Sequence, residues 1–171
     1  MVNDSNPVEV GNARLGRGFF CWNSETGAST FGLTTFLYNY VCGNHIVWGA
    51  EDIRELKIVH KSQAPDRFYA SAIPHLNRFV ENHNLDDRVK SMACNAMNQH
   101  IGNRAEDIQS WFKNKPFTRQ EVTYGLEAGN LSGEDTSTLW GMVQGLTAYA
   151  RQLPFIDKRV NLEKRAGALL S

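Results

Sequence analysis

At 171 residues, 42% hydrophobic and 21% charged, the chain is long enough to bury one sizeable core. Its eighteen lysines and arginines balance eighteen aspartates and glutamates, which excludes a global field drawing it to DNA or to an anionic membrane, so any nucleic-acid contact has to come from a local patch. No apolar run approaches the ~20 residues that span a bilayer, and Met1 to Pro7 have neither the basic flank nor the apolar stretch of an export signal.

Three cysteines, Cys21, Cys42 and Cys94, cannot all pair. Reduced thiols in a cytoplasm are therefore expected, with no membrane partner.

Residues 1–16 are polar, carry Pro7, Gly11 and Gly16 and lack periodicity, so they read as a flexible N-terminal arm. A single α+β domain is expected over 17–171. Phe19 to Trp22 suit a strand, Gly27 suits a hairpin turn, and Phe31 and Leu33 alternate on a second strand. From Thr34 the spacing of Phe36, Leu37, Tyr40 and Val41 predicts a short helix crossing this sheet, ended by Gly43 or Asn44. His45 to Trp48 and Ile53 to His60 read as further strands. The first part of the chain is thus expected to be a small, mostly antiparallel sheet.

About five to six helices are expected to follow. Tyr69, Ala72, Ile73, Leu76 and Val80 form a first stripe interrupted by Pro74; Val89, Met92, Ala93, Ala96, Met97 and Ile101 form a second. A helix spans about 105–113. Thr118 and Glu121 make a capping box for one predicted to stop at Gly129, and Leu139 to Leu153 give another stripe, anchored by Trp140. A last helix follows Asn161.

Catalytic signatures are missing: there is no serine elbow, phosphate loop or HExxH. Cys42 and His45 have a ligand-like spacing without the second pair a structural zinc site needs, so no metal and no cofactor are expected. Glu51-Asp52, Asp86-Asp87, Glu106-Asp107 and Glu134-Asp135 are paired carboxylates, the last three placed where helices open.

Local basic patches leave nucleic acid as a candidate partner. Arg54, Lys57, His60, Lys61 and Arg67 gather on or after one strand, with Arg17 at the start of the first; Lys158 and Arg159 mark a second gathering with Arg151, Lys164 and Arg165. Trp22, Trp48, Trp111, Phe112 and Phe117 exceed what a small core holds. Trp111, Phe112 and Phe117, beside the loop Lys113-Asn114-Lys115, are the expected contact of a homo-oligomer.

Asn23, Ser24, Glu25 and Gly27, then Phe36 to Asn44 with Cys42 and Asn44, then Ile53 to Lys61, together with Leu139-Trp140-Gly141 and Gly145 to Arg151, recur in an order that resembles the phage- and plasmid-like family catalogued as domain of unknown function 932. His45 stands where a glycine often follows the asparagine in that family, and members usually carry a longer N-terminal part. The resemblance implies a mobile-element setting, in DNA metabolism or interference with host defence, and no assigned activity. The hairpin sheet with a helix over it also looks like the core of phage single-strand annealing proteins, a fold-level analogy that transfers no residues. The leading expectation is a non-enzymatic, oligomeric single-stranded DNA-binding or annealing protein. The rival is a module that binds a host or phage protein.

Overall fold

A computed structural model describes residues 7–22, 31–40, 43–46, 55–58, 64–81 and 84–171. Its N-terminal part is an antiparallel sheet of five strands, β1 (Val8–Val10), β2 (Ala13–Trp22), β3 (Phe31–Asn39), β4 (Asn44–Ile46) and β5 (Glu55–Ile58). Six helices follow: α1 (Ala64–Glu81), α2 (Asn84–Asn98), α3 (Ala105–Phe112), α4 (Arg119–Leu131), α5 (Leu139–Ala150) and α6 (Ile156–Ala168). The α+β class and the order of sheet before helices are those read from the sequence.

Two N-terminal expectations are corrected. Residues 7–16 are no arm: β1 and β2 form a hairpin in which Val10 faces Ala13 across Gly11-Asn12, and Gly11 has φ +55°. A glycine with positive φ at the first of two loop residues matches the strand twist. Val8, Val10, Ala13 and Leu15 are buried, which secures the hairpin to the helices.

The crossing helix predicted from Thr34 is instead the central strand β3, paired with β2 on one edge and with β4 and β5 on the other. Leu33, Thr35, Leu37 and Asn39 are buried, and so is Phe36 on the opposite face. With rings on one face and Leu33 and Leu37 on the other, β3 lacks the polar alternation that identifies a strand, so its apolar spacing mimics a helical stripe.

The helices cover the sheet face that carries Leu15, Leu33, Leu37 and Ile46. On α1 the inward residues are Phe68, Ala72 and Phe79, rotated from the predicted stripe; Tyr69, Ile73 and Val80 are exposed. The helix continues through Pro74. Phe112, expected at an oligomer contact, is buried and stacks edge-on with Trp111 and Phe117, at 4.9 and 5.2 Å between ring centroids.

The capping box forms as predicted: the Glu121 N–H donates to the Thr118 hydroxyl at 3.1 Å, and the Thr118 N–H to the Glu121 carboxylate at 2.8 Å. That carboxylate also accepts two bonds from Arg165 of α6, at 2.6 and 3.1 Å. Helix α4 runs past Gly129 to Leu131 and closes at Gly133, φ +75°, with the Glu134 N–H donating to the Gly129 carbonyl and the Gly133 N–H to that of Asn130. This is the paired bonding of a glycine-terminated helix. Helix α6 starts at Ile156, ahead of the predicted Asn161.

Helix α5 is the axis of the helical layer, with every residue but Tyr149 buried. Trp140 is 3% exposed within the main core, as its place beside the apolar stripe predicts. The helix fits there because α4 crosses it backbone to backbone. A Cβ at Gly145 would lie 2.2 Å from the Gly125 carbonyl oxygen and 3.1 Å from the Gly129 Cα; one at Gly129 would lie 2.5 Å from Thr136.

This crossing sets two effects against each other. Alanine at Gly145 gains about 1 kcal/mol in helix propensity, yet its methyl group overlaps backbone that no rotamer change can move. Gly145→Ala should therefore destabilise the protein by about 2 kcal/mol or more, whereas Gly133→Ala, with nothing within 4 Å of the added carbon, should cost only about 1 kcal/mol of backbone strain. Urea unfolding of both variants checks this; a Gly145→Ala protein as stable as wild type would contradict the crossing.

Candidate nucleic-acid interface

On the sheet face opposite Leu33 and Leu37, β3 and the residue after it place a ring at every second position: Phe36, Tyr38 and Tyr40. Opposite them β2 has glycines. A Cβ at Gly18 would meet the Phe36 ring at 2.6 Å, and one at Gly16 would meet the Tyr40 ring at 2.5 Å. The rings thus lie against bare backbone, a recurrent use of glycine within strands.

His45, which pairs with Tyr38 across β3 and β4, extends the row. Ring centroids are 5.1 Å apart for Tyr38–Tyr40, 5.5 Å for Tyr38–His45 and 4.5 Å for Phe36–His45. Phe36 is buried, whereas Tyr38, Tyr40 and His45 are only partly so.

Two arginines flank the row. The exposed Arg14 has its guanidinium 5.8 Å from the centre of the Tyr40 ring. The exposed Arg151, at the end of α5, donates to the Gly43 carbonyl at 3.2 Å. Gly43 has φ +69°, and a Cβ there would lie 2.9 Å from that guanidinium, so glycine both makes the turn and admits the arginine.

Beside the row lies a buried carboxylate. Glu163 of α6 is 1% exposed, accepts a bond from Arg159 Nε at 3.1 Å and has His45 Nδ1 at 3.7 Å. Burial pushes its carboxyl up, against the lowering effect of Arg159. Burial, then Arg159 and Arg151, bring His45 down to about 4, so the imidazole is neutral near pH 7. Despite its geometry, the His45–Glu163 contact is not an ion pair at that pH.

The residues predicted from sequence are not gathered into one site. Arg17 donates to Asp86 at 2.6 Å and to the carbonyls of Val80 and Phe79; it ties β2 to the junction of α1 and α2. The exposed Arg67 lies near the other end of α1, about 18 Å away at 1.5 Å per residue. Lys57 is in β5 opposite Gly32, whereas Arg17 faces Leu37, roughly 17 Å further along β3. Lys158 has its ammonium group 5.4 Å from the centre of the exposed Phe155 ring. From the second gathering, Arg159 and Arg151 adjoin the aromatic row. Arg54, His60 and Lys61, and the motif residues Asn23, Ser24, Glu25, Gly27 and Cys42, lie outside the described residues.

Asn44 of that motif is fully buried. Its amide donates to the Gln144 side chain and carbonyl, both at 3.0 Å, and Asn39 donates to the same side chain at 3.4 Å. It couples the sheet to α5. An open groove of about 930 Å³ between α3 and α4, lined by Ile108, Phe112, Val122 and Leu126 with a polar rim, belongs to other elements, and Gln109 of α3 hydrogen-bonds to Arg119 and Thr123 of α4.

The neutral His45 has a consequence for pH. Its ionisation falls from 6.5 unfolded to about 4 folded, so the unfolded chain binds the extra proton. Its contribution is present above pH 6.5 and lost as pH falls towards 4, by up to about 3 kcal/mol before solvent screening. Glu163 acts in the opposite sense, because protonating a raised buried carboxyl relieves the folded state as pH falls. His45→Gln isolates the histidine: between pH 7 and 4.5 it should lose less stability than wild type in urea unfolding, and parallel losses would contradict the assignment. Compared with known proteins, the chain matches no family model, no curated protein and no solved structure.

Proposed function

We propose that the protein binds single-stranded DNA along the row Arg14, Tyr40, Tyr38, His45 and Arg151, as a non-enzymatic binding or annealing protein of a mobile element acting in the bacterial cytoplasm. The observation that carries this reading is the pair of partly exposed tyrosines 5.1 Å apart, flanked by two exposed arginines. Bases stack on aromatic faces without regard to sequence, at about 1–3 kcal/mol each, and flanking arginines neutralise the phosphates between which those bases hang. A protein of zero net charge needs such a local device. The motif resemblance to phage- and plasmid-like proteins supports the same setting.

A second reading, a module that docks a host or phage protein, draws on a different surface: Tyr69, Ile73 and Val80 leave an apolar stripe on the outside of α1. Salt dependence separates the two.

Two phosphate contacts on a single strand predict that log K falls with log salt at a slope of about −1.4. In fluorescence anisotropy with a labelled oligothymidylate, Arg14→Ala should reduce that slope by about 0.7, and Tyr38→Leu should weaken binding roughly tenfold, the loss of one stacked base. Melting temperature should barely change for Arg14→Ala, whose side chain is exposed. Absence of binding at low salt, or binding unaffected by either substitution, would overturn the proposal.

A further inference from the structure

Two features of the helical layer lie outside the aromatic row and its neighbours. The first is a knob at the start of α6, where Phe155 and Ile156 are 62% and 65% exposed. Phe155 holds the capping position of α6 and makes no side-chain cap bond, whereas Thr118 and Thr138 cap α4 and α5. Serine, threonine, aspartate and asparagine are the stabilising residues at such a position. A phenylalanine there forgoes that gain and leaves two large apolar side chains in water. Asp157 and Lys158 follow the knob, both exposed.

The second is the open groove of about 930 Å³ between α3 and α4. Gln109 ties its two walls together through the Arg119 carbonyl and the Thr123 hydroxyl, both at 3.0 Å, which fixes their separation. The short connection 113–118 turns α4 back along α3. Glu106 and Glu127 therefore fall at one end of the groove, and Lys113 and Arg119 at the other; all four are exposed. The groove thus has an apolar floor, an acidic end and a basic end.

We propose that the knob of one copy of the chain seats in the groove of a second copy. Phe155 and Ile156 then cover the floor, Lys158 meets Glu106 and Glu127, and Asp157 turns towards Lys113 and Arg119. Charge selects this occupant: a knob followed by one acidic and one basic residue suits a groove with a basic and an acidic end. A nucleic acid, negative throughout, is repelled at Glu106 and Glu127. The knob lies outside its own groove. Arg165 of α6 is bonded to Glu121 and to the Pro116 carbonyl, beside the groove's basic end, and Ile156 is about 14 Å from it along the helix. Contact between two different surfaces is head to tail, so it repeats from copy to copy and builds a ring or a filament. Phe112 and Phe117, which line the groove, are thereby brought to the contact. The assembly does not depend on the single-strand reading.

Sedimentation velocity of the full chain without nucleic acid tests it. Wild type should form species of three or more copies that grow with concentration in the micromolar range. A knob variant, Phe155→Ser with Ile156→Ser, and a rim variant, Glu106→Lys with Glu127→Lys, change only exposed side chains, and each alone should be a monomer of 19.3 kDa. Mixed, they should form a heterodimer of twice that mass and nothing larger, because each pair retains one intact knob and one intact groove. A wild type that stops at monomer or dimer, either variant assembling alone as wild type does, or a mixture that stays monomeric would overturn the proposal. Should one of these variants fail to fold, charge reversal decides. Lys158→Glu should weaken assembly at least tenfold and Glu127→Lys in the same chain should restore it; no loss in the first or no recovery in the second would refute the contact.

Discussion

The close crossing of α4 on α5 is the constraint from which the other contacts follow. Helix α5 is buried almost all round, and a helix in that position has to leave room for a neighbour on every side. Gly125 and Gly129 on one helix and Gly145 on the other supply it by omitting side chains where the backbones meet. With α4 close on one side, α5 can offer Leu146 and Met142 to the core and Gln144 to the sheet. Ordinary side chains at the crossing would force α5 away from the sheet, beyond the reach of the bonds from Asn39 and Asn44 to Gln144.

That polar joint explains how the two faces of the sheet come to differ. Asn39 and Asn44 belong to the face lined by Leu37 and Ile46, against α5, and the residues alternating with them, Tyr38 and His45, fall on the other. The register that satisfies Gln144 therefore also builds the aromatic row. A slip of one residue in β4 would put His45 into the apolar core and move Asn44 away from its acceptors. Arg151 and Glu163 reach the same region from α5 and α6, so an arginine that flanks the row is held by the helix that sets the register.

Much of this was legible in the sequence wherever one local signal spoke alone. The Thr118–Glu121 box, the α2 stripe and the Leu139 stripe each depend on neighbouring residues, and each formed. The misreadings share a cause, which is that burial was decided by distant elements. Phe36 to Tyr40 looked helical because β3 carries rings on one face and aliphatic residues on the other, and α1 was rotated because its own apolar residues outnumber those it buries. The first hairpin did have a local signal: Gly11-Asn12 between Val8, Val10 and Ala13, Leu15 is a two-residue turn between alternating strands. The aromatic row had one too, in glycines at 16 and 18 matched by rings at 36, 38 and 40, but it has meaning only once the pairing of β2 with β3 is known. The basic residues were the least legible, because Arg17 and Arg165 are committed to structural bonds that composition does not reveal.

If single strands bind along the aromatic row, the sheet face that carries Tyr38 and Tyr40 is the surface that meets them. Mapping amide and aromatic NMR shifts while titrating unlabelled oligothymidylate tests this most directly. Perturbations confined to Arg14, Tyr38, Tyr40, Gly43, His45 and Arg151 would support it. Shifts concentrated on Tyr69, Ile73 and Val80 of α1, or no shifts at all, would contradict it.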